Sequence, residues 1–511
     1  MHRFWRFTAL WLAVVSLAAP AARADLEAEV RLEIQRSQIT RGMIGVSIRD
    51  ADSERAALAS ILWSNGTFST AADAPLIPAS NMKLLTTGAA LHALGPDFVF
   101  QTRLLRDGNR LIIRGDGDPA FGDPELLATM VVGERQGLSV DDFMALWVEP
   151  VAQASIRGAV EIVMDDRIFA REFAHPVWPA DQLTQRYCAE VSGFNFHLNV
   201  LHFYPRPSAY GDGHPDLSVF EPRAGWLSPR NRATSARGPN DQSTVWIARR
   251  PGTNDLTFYG NVKFAYRAPV PVTLHDMPTF FAHLLAERLE QRGVSVRSWR
   301  LATEDDGPLT GADCAPIIKT PLAVALARCN TDSQNLYAEA LLKRTCYERT
   351  RQSASWNVAA AILRNIAHER LALPFAPPDL IVSDGSGLSR ENRVAPATLT
   401  AWLGSFHRDA ALGPVFKASL AIAGENGTLD NRFSGIDLFG AEIRAKSGFI
   451  NNVSCLSGYV TMPDGRCRAF SVMANDLNSL ADVRLAKKLQ ERIVSAIARD
   501  LASVEMSMGS D

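Results

Sequence analysis

Ser80 and Lys83 are the two residues of this sequence whose types and spacing most clearly allow chemistry. They follow Pro78, where the apolar spacing predicts the start of a helix. Residues three apart share one face of a helix, so the hydroxyl and the amine can meet. The first turn of a helix has unpaired N–H groups and a positive dipole, which favour an alkoxide and disfavour an ammonium. The pair therefore predicts a serine nucleophile that a lysine of lowered pKa deprotonates.

A second polar pair, Ser333 and Asn335, lies two residues apart and is interpreted as part of a loop, although the pattern of the wider segment 321–345 is helical. Their side chains would point to the same side, where the hydroxyl can relay a proton and the amide can hold a substrate carbonyl. Both pairs also have a structural interpretation. Ser80 could cap its own helix while Lys83 is solvated, and Ser333 could cap the helix that follows.

The third motif, Lys446-Ser447-Gly448, lies within residues 441–450, which read as a strand. A cation and a hydroxyl beside a glycine suit a carboxylate that must approach the backbone closely. The charge of Lys446 would also help to keep Lys83 neutral by repulsion. The structural alternative is an exposed lysine on an edge strand.

The three motifs occur in the order S-x-x-K, S-x-N and K-[ST]-G, the set used by penicillin-binding proteins and class A β-lactamases. Their agreement on a helix start, a loop and a strand is more specific than any one motif. The long gap between the first two motifs resembles the low-molecular-mass class C penicillin-binding proteins, the D-alanyl-D-alanine carboxypeptidase/endopeptidase family. Further stretches that resemble this family are GDGDP at 115–119, DGSGLSR at 384–390, residues 424–432 and SGYV at 457–460.

The resemblance covers nearly all of the mature chain and implies a fold of the α/β (α+β) class. It implies a transpeptidase- or β-lactamase-like domain with a five-stranded antiparallel sheet flanked by helices. Two more domains, one nested in the other, would be inserted after the helix of Ser80. Short alternating runs split by Gly, Pro and Asp agree with a β-rich insert at 97–275. We therefore expect a discontinuous penicillin-binding domain at 25–96 and 276–511, since 511 residues are too many for one core.

Local patterns predict the secondary structure of several segments. The predicted helices are 26–35, one after Pro78 that ends at Gly95-Pro96, 276–292, 321–345, 353–370, 397–408 and an amphipathic 480–504. The predicted strands are 44–48, 99–105, 110–114, 158–164, 455–461 and 468–474, with a hairpin turn at 64–66.

The resemblance implies acyl transfer with Ser80 as the nucleophile and Lys83 as its base. Ser333, Asn335 and Lys446 would complete the proton and substrate network. No metal or organic cofactor is required. The histidines include no H-E-x-x-H, and the acidic run at 116–123 lacks the Gly and Glu of a calcium loop.

The resemblance also implies an oxyanion hole and a site for the terminal carboxylate of the substrate. The backbone N–H groups of Ser80 and Phe449 would be the two oxyanion donors. Ser447, which stands where Thr is commoner, keeps the hydroxyl that would bind the carboxylate beside Gly448. The substrates would be peptidoglycan stem peptides that end in D-Ala-D-Ala, which penicillin and other β-lactams imitate.

The family recognises the diamino acid of the stem peptide with residues of an inserted domain. The residues that resemble this patch are Trp178, Asp181 and Tyr187, with Leu388 and Arg390 opposite. The spacing from Asp181 to Tyr187 is one residue longer than the usual pattern, so Gln182 is an alternative to Asp181. Trp178 and Tyr187 could instead be core aromatics.

Two other functions remain open from the sequence. A β-lactamase of the same superfamily needs a water-activating Glu, but no E-x-x-L-N occurs between Ser333 and Lys446. A non-catalytic wall-binding protein could keep the same fold, although the intact set of three motifs argues against it.

The first 24 residues read as a secretory signal peptide. Arg3 and Arg6 precede an apolar stretch at 8–19, and A-x-A at 22–24 is a cleavage site, with an uncleaved anchor as the alternative. We therefore expect a periplasmic or otherwise exported protein. A net charge of -2 gives no electrostatic reason to bind nucleic acid, and membrane association would be peripheral at most. Export permits disulfides, yet burial as small apolar residues is favoured for the six cysteines.

Overall fold

The computed structural model describes residues 18–53, 55–69, 74–132, 135–154, 156–209, 213–236, 238–372 and 380–508. The charged start and most of the apolar stretch of the predicted signal peptide lie outside these residues. The α-helices are α1 Ala18–Arg36, α2 Met82–Leu94, α3 Pro124–Leu127, α4 Val140–Gln153, α5 Met277–Gln291, α6 Leu322–Thr331, α7 Asn335–Thr350, α8 Trp356–Leu371, α9 Pro396–His407, α10 Gly413–Ala418 and α11 Leu480–Met508. None of the described helices combines the length and apolarity that a membrane span requires.

The main sheet is antiparallel throughout. Its strands, in spatial order, are Ala421–Ile422, Glu442–Ile450, Val453–Thr461, Cys467–Asn475, Met43–Asp50, Ala56–Ser64 and Thr67–Ser69. The central five have eight or nine residues each, and the two at the edges have two and three. The expected mixed fold with a helix-flanked antiparallel sheet is therefore present, with a short strand added at each edge.

Helices cover both faces of the main sheet because its central strands are apolar on both sides. Side chains alternate between the faces of a strand. In Val453–Thr461, Cys455 and Tyr459 face the core that contains α2, α7, α8 and α9. Leu456 and Val460 face the core shared with α1 and α11. The prediction that the amphipathic C-terminal helix packs on a sheet is confirmed.

A second core lies in the inserted region and has its own sheet. The strands of that sheet, in spatial order, are Val296–Leu301, Val160–Asp165, Arg110–Arg114, Val99–Asp107 and Ala312–Asp313, and Ile318–Pro321 also pairs with Val99–Asp107. Helix α5 packs in this core. Helix α5 and the strands Val296–Leu301, Ala312–Asp313 and Ile318–Pro321, which all follow the expected boundary at 275, therefore share the core or the sheet of the inserted region. An amphipathic helix can cover either sheet, so the local pattern of α5 does not reveal which core it joins.

The other strands of the insert are short. They form the sheets Phe220–Glu221/Val200–Phe203/Val270–Thr273 and Arg230–Asn231/Leu256–Tyr259/Trp246–Arg249, and the pairs Thr234–Ser235/Asn261–Val262 and Val131–Val132/Arg135–Gln136. One more pair, Leu380–Ile381/Arg393–Val394, lies outside the insert. Helix α4 was missed within the expected β-rich stretch, although Ser139 and Asp142 form a capping box that marks its start.

The predicted helix at 321–345 is two helices in the structure, α6 and α7. They are separated at Ser333, whose φ of 60° is left-handed. A non-glycine residue in this region interrupts a right-handed helix and is held there by its surroundings. The break ends α6 and allows α7 to begin at Asn335.

All six cysteines are free thiols, and five of them are buried. Cys467 lies opposite Thr461 and Cys455 opposite Met473, so the two are not cross-strand partners. Burial raises the pKa of the Cys188 thiol to about 12 and that of Cys314 to about 11.

We expect iodoacetamide to modify all six cysteines in denaturant without a reductant, and few of them in the folded protein. The reason is that thiolates react, and burial here disfavours them. Intact-mass measurement counts the added groups. A count that rises only after reduction would contradict the arrangement of free thiols.

Candidate active site

Ser80 lies in the 3₁₀ turn Ala79–Asn81, directly before α2. Ala79 has a left-handed φ of 45°, a conformation that surrounding contacts must hold in place. A Cβ added to Gly448 would lie 3.1 Å from the Ser80 backbone nitrogen, and one added to Gly387 would lie 1.8 Å from the Ala79 carbonyl oxygen. The turn is therefore clamped between the strand Glu442–Ile450 and the loop at 384–390, where only glycines allow this approach.

Lys83 is fully buried, and its amine contacts three oxygens. Its Nζ is 3.0 Å from Ser80 Oγ, 2.7 Å from Asn335 Oδ1 and 2.8 Å from the carbonyl oxygen of Ser386. The amide and the carbonyl oxygens can only accept hydrogen bonds. A neutral amine that donates its two N–H groups to them keeps its lone pair for the hydroxyl of Ser80. The geometry thus suits an uncharged lysine that takes the serine proton.

Burial lowers the pKa of Lys83 to about 8, although nearby Cys329, Glu339 and Asp384 act in the opposite direction. The sequence argument assigned part of this lowering to repulsion from Lys446, but burial is the leading cause. Lys446 is itself fully buried. Burial, and then the charge of Lys83, hold the pKa of Lys446 well below its usual value.

The second and third motifs meet at the Lys446 amine, which donates to Ser333 Oγ at 2.9 Å and to the Ser447 carbonyl at 2.9 Å. The Ser447 hydroxyl donates to Thr428 Oγ1 at 2.8 Å. Thr428 was noticed in the sequence only as part of a family-like stretch. The five residues predicted to be catalytic therefore form two hydrogen-bonded groups. Ser80 and Asn335 contact Lys83, and Ser333 contacts Lys446.

The structural alternatives for the three motifs are wrong in this structure. Neither α2 nor α7 has a side-chain N-cap bond, so neither Ser80 nor Ser333 caps a helix. Lys83 and Lys446 are buried rather than solvated.

The buried side chain of Glu339, close to Lys83, was missed by the sequence analysis, and the buried Asp384 was noticed only as part of a family-like stretch. Glu339 accepts hydrogen bonds from the backbone N–H groups of Gly385 and Ser386 at 2.9 and 2.8 Å. It lies four residues after Asn335 on α7, a spacing that could have placed it on the same helix face. Burial, reinforced by the charge of Asp384, raises the pKa of Glu339 to about 8.

The predicted diamino acid patch is divided between the interior and the surface. Trp178 is only 5% exposed, packs against Trp356 and donates its indole N–H to Asp384, so its position is that of a core aromatic. Tyr187 is 45% exposed and donates its hydroxyl to Gln182 Oε1 at 3.1 Å.

The remaining predicted substrate residues lie at or near the surface. Asp181 is exposed, Leu388 is half-buried, and the exposed Arg390 donates to the Asn451 carbonyl. Phe449, the predicted second oxyanion donor, directly follows Gly448, and its side chain is 47% exposed.

Comparison with known proteins gives a family match over residues 26–497, to the D-Ala-D-Ala carboxypeptidase 3 (S13) family. The chain belongs to this family. It is 31% identical to the D-alanyl-D-alanine carboxypeptidase of Actinomadura sp. (strain R39), over 82% of this chain and 77% of that one. It is 23% identical to the D-alanyl-D-alanine carboxypeptidase DacB of Haemophilus influenzae, over 78% of this chain and 80% of that one. The predicted family and enzyme class are thus confirmed, and this S13 carboxypeptidase is a hydrolase.

The fold agrees with this membership. The crystal structure of penicillin binding protein 4 (dacB) from Haemophilus influenzae matches 92% of this chain and 99% of that chain, with a TM-score of 0.67 and 19% sequence identity. The same protein complexed with a β-lactam matches with a TM-score of 0.63 at 18% identity. At this level of identity the likeness shows a shared fold.

We expect penicillin to acylate Ser80 with Lys83 as the base, and the pKa of Lys83 then predicts how the acylation rate depends on pH. Below pH 8 the amine is mostly protonated and cannot accept the serine proton, so the second-order acylation rate should fall by about tenfold per pH unit. Above pH 8 it should level off. Stopped-flow acylation by a fluorescent penicillin between about pH 6 and 9.5, with circular dichroism as a control for folding, measures this profile. A rate that is flat, or that rises only above pH 10, would contradict the assignment of Lys83.

Proposed function

We propose that this chain is an exported serine-type DD-peptidase. Its substrates would be peptidoglycan stem peptides, either their D-Ala-D-Ala ends or D-amino-acid cross-links, and it would act through an acyl-enzyme on Ser80. The observation that carries the proposal is the contact between Ser80 Oγ and a buried amine whose two other contacts are carbonyl oxygens. Membership of the carboxypeptidase family supports the substrate class.

In the acylation step, Ser80 Oγ attacks the carbonyl carbon of the penultimate D-Ala while its proton passes to Lys83 Nζ. The oxygen of the tetrahedral intermediate would bind the backbone N–H groups of Ser80 and Phe449. The C–N bond then breaks, and the leaving amine takes the proton that Lys83 accepted from Ser80, relayed through the Ser333 hydroxyl. The Lys446 amine, 2.9 Å from Ser333 Oγ, is placed to support that transfer.

The terminal carboxylate of the substrate would bind beside the strand Glu442–Ile450. The Ser447 hydroxyl can turn from Thr428 to donate to the carboxylate, and Gly448 leaves room for close approach. A bound carboxylate would favour the charged form of Lys446, since an opposite charge raises the pKa of a lysine. The exposed side chains of Tyr187, Asp181 and Arg390, with half-buried Leu388, would contact the diamino acid.

Water completes the cycle by hydrolysing the ester on Ser80, and the peptide is released. Penicillin forms the same ester, but its ring-opened leaving group stays attached and leaves Ser80 blocked. The segment between Ser333 and Lys446 has no E-x-x-L-N to activate water for fast deacylation. This favours a penicillin-inhibited peptidase over a β-lactamase. The predicted signal peptide at 1–24 supports export to the compartment where peptidoglycan lies.

Digestion of purified muropeptides by the wild type and by Ser80→Ala, followed by mass spectrometry, tests the proposal. The wild type should release one D-Ala from pentapeptides, or split cross-linked dimers, and Ser80→Ala should do neither. A fluorescent penicillin should label the wild type on the peptide that contains Ser80. Ser80→Ala should lose both the cleavage and the labelling, because it lacks the hydroxyl oxygen that forms the ester.

Two outcomes would overturn the proposal. Rapid, catalytic turnover of penicillin would indicate a β-lactamase. Peptidoglycan binding that survives Ser80→Ala, together with no cleavage by the wild type, would indicate a non-catalytic binding protein.

A further inference from the structure

Trp178 belongs to the insert but makes its polar contact with the catalytic side of the molecule. Its indole N–H donates to Asp384 Oδ2 at 2.9 Å, and the Asp384 side chain is fully buried. The Trp178 ring packs against the rings of Trp356 and His175. A side chain with this burial has no polar atom left for a substrate in solvent.

The Asp384 carboxylate accepts hydrogen bonds from several groups of the loop at 384–390 and its neighbourhood. Its Oδ1 accepts from the Gly387 backbone N–H at 2.9 Å and from Asn392 Nδ2 at 2.7 Å. Its Oδ2 accepts from the Ser389 N–H at 2.6 Å, in addition to Trp178. A buried carboxylate with this many donors is held rigidly, because each lost donor would leave a buried charge less well compensated.

One peptide group links this carboxylate to the base. The N–H of Gly387 and the carbonyl of Ser386 belong to the same planar peptide unit. Its N–H is bonded to Asp384, and its carbonyl oxygen accepts from Lys83 Nζ at 2.8 Å. Asp384 therefore fixes the plane of the peptide that receives one of the two N–H groups of a neutral Lys83.

Residues 175–188 of the insert, which include Trp178, also orient the other acceptor of Lys83. The backbone carbonyl of Tyr187 accepts from Asn335 Nδ2 at 2.8 Å, which leaves Asn335 Oδ1 as the atom that faces Lys83. His175 Nε2 contacts the carbonyl of Ser383, the residue directly before the loop at 384–390, at 3.0 Å, and adds to the Trp178 contact with Asp384. Both carbonyl acceptors of the base are thus set by residues 175–188.

We propose that residues 175–188 of the insert position the catalytic base, and that Trp178 is a positioning residue for Lys83 rather than a substrate contact. This inference rests on the proposed function of Ser80 and Lys83. With both N–H groups of the amine directed to fixed acceptors, the lone pair points to the Ser80 hydroxyl. Loss of the Trp178 donor loosens Asp384, then the peptide at 386–387, and then the direction of the lone pair.

The test compares two reactions in Trp178→Phe, which keeps an aromatic ring and removes the indole N–H. One is acylation by benzylpenicillin, which has no diamino acid side chain. The other is hydrolysis of a stem peptide that carries the diamino acid and ends in D-Ala-D-Ala. The inference predicts that both second-order rates fall by a similar factor, about tenfold or more, because small misplacements of reacting groups are costly. The peptide reaction should lose kcat while KM changes little.

Trp356→Phe is the matched control. Trp356 is equally buried and packs against Trp178, but its indole N–H donates to the Glu172 carbonyl, away from the loop at 384–390. Its two rates should stay near the wild-type values, with a thermal midpoint that falls as much as that of Trp178→Phe. Equal losses in both variants would reduce the effect of Trp178 to general packing and overturn the inference.

Asp384→Asn provides a second route if Trp178→Phe does not fold. It should also slow both reactions by the same factor, and the double variant should be little slower than Asp384→Asn alone, since the two residues act in series. A loss confined to the peptide substrate, with penicillin acylation at the wild-type rate, would make Trp178 a substrate contact and overturn the inference. Absence of any acylation of wild-type Ser80 would instead refute the proposed function.

Discussion

The proposed catalytic centre depends on one constraint, the burial of a lysine amine against the hydroxyl of a serine. In water an ammonium is strongly solvated, and removing that solvation favours the neutral form. Lys83 has lost all of its contact with solvent, and its pKa falls to about 8 for that reason. The structure replaces water by oxygens that accept from the amine, which keeps the group hydrogen-bonded in either protonation state.

The fold satisfies this constraint by bringing separate parts of the chain to the start of α2. The strand Glu442–Ile450 lies along one side of Ser80, and the loop at 384–390 lies along the other. The break between α6 and α7 supplies Ser333 and Asn335. Buried polar groups need hydrogen-bond partners. Glu339 and Asp384 accept from backbone N–H groups of the loop at 384–390 and thereby order it. This loop supplies the Ser386 carbonyl that accepts from Lys83. The insert takes part in this order, through Trp178 and the Tyr187 carbonyl.

The sequence predicted the motifs and the elements that carry them, because nucleophile, base and amide have strict local spacing. The family resemblance implied the helix-flanked antiparallel sheet, and local apolar patterns predicted four of its five long strands but not Ala56–Ser64. The sequence could not assign α5 to the core of the insert, since an amphipathic pattern does not show which sheet the helix packs against. It could not place Trp178 either, because an indole beside a proline looks the same in a core and in a binding site. Glu339 was missed because a single acidic residue on a helix gives no signal until the backbone it binds is known.

The charge state of Lys83 is the most direct test of this account. In protein labelled with ¹³Cε-lysine, the resonances of the eight lysines can be followed through a pH titration. Burial also lowers the pKa of Lys343 to about 8, so Lys343→Met is needed to assign the signal of Lys83. The account predicts that Lys83 titrates near pH 8 in the free enzyme. A Lys83 signal that remains that of an ammonium up to about pH 10, close to the ordinary value, would contradict it.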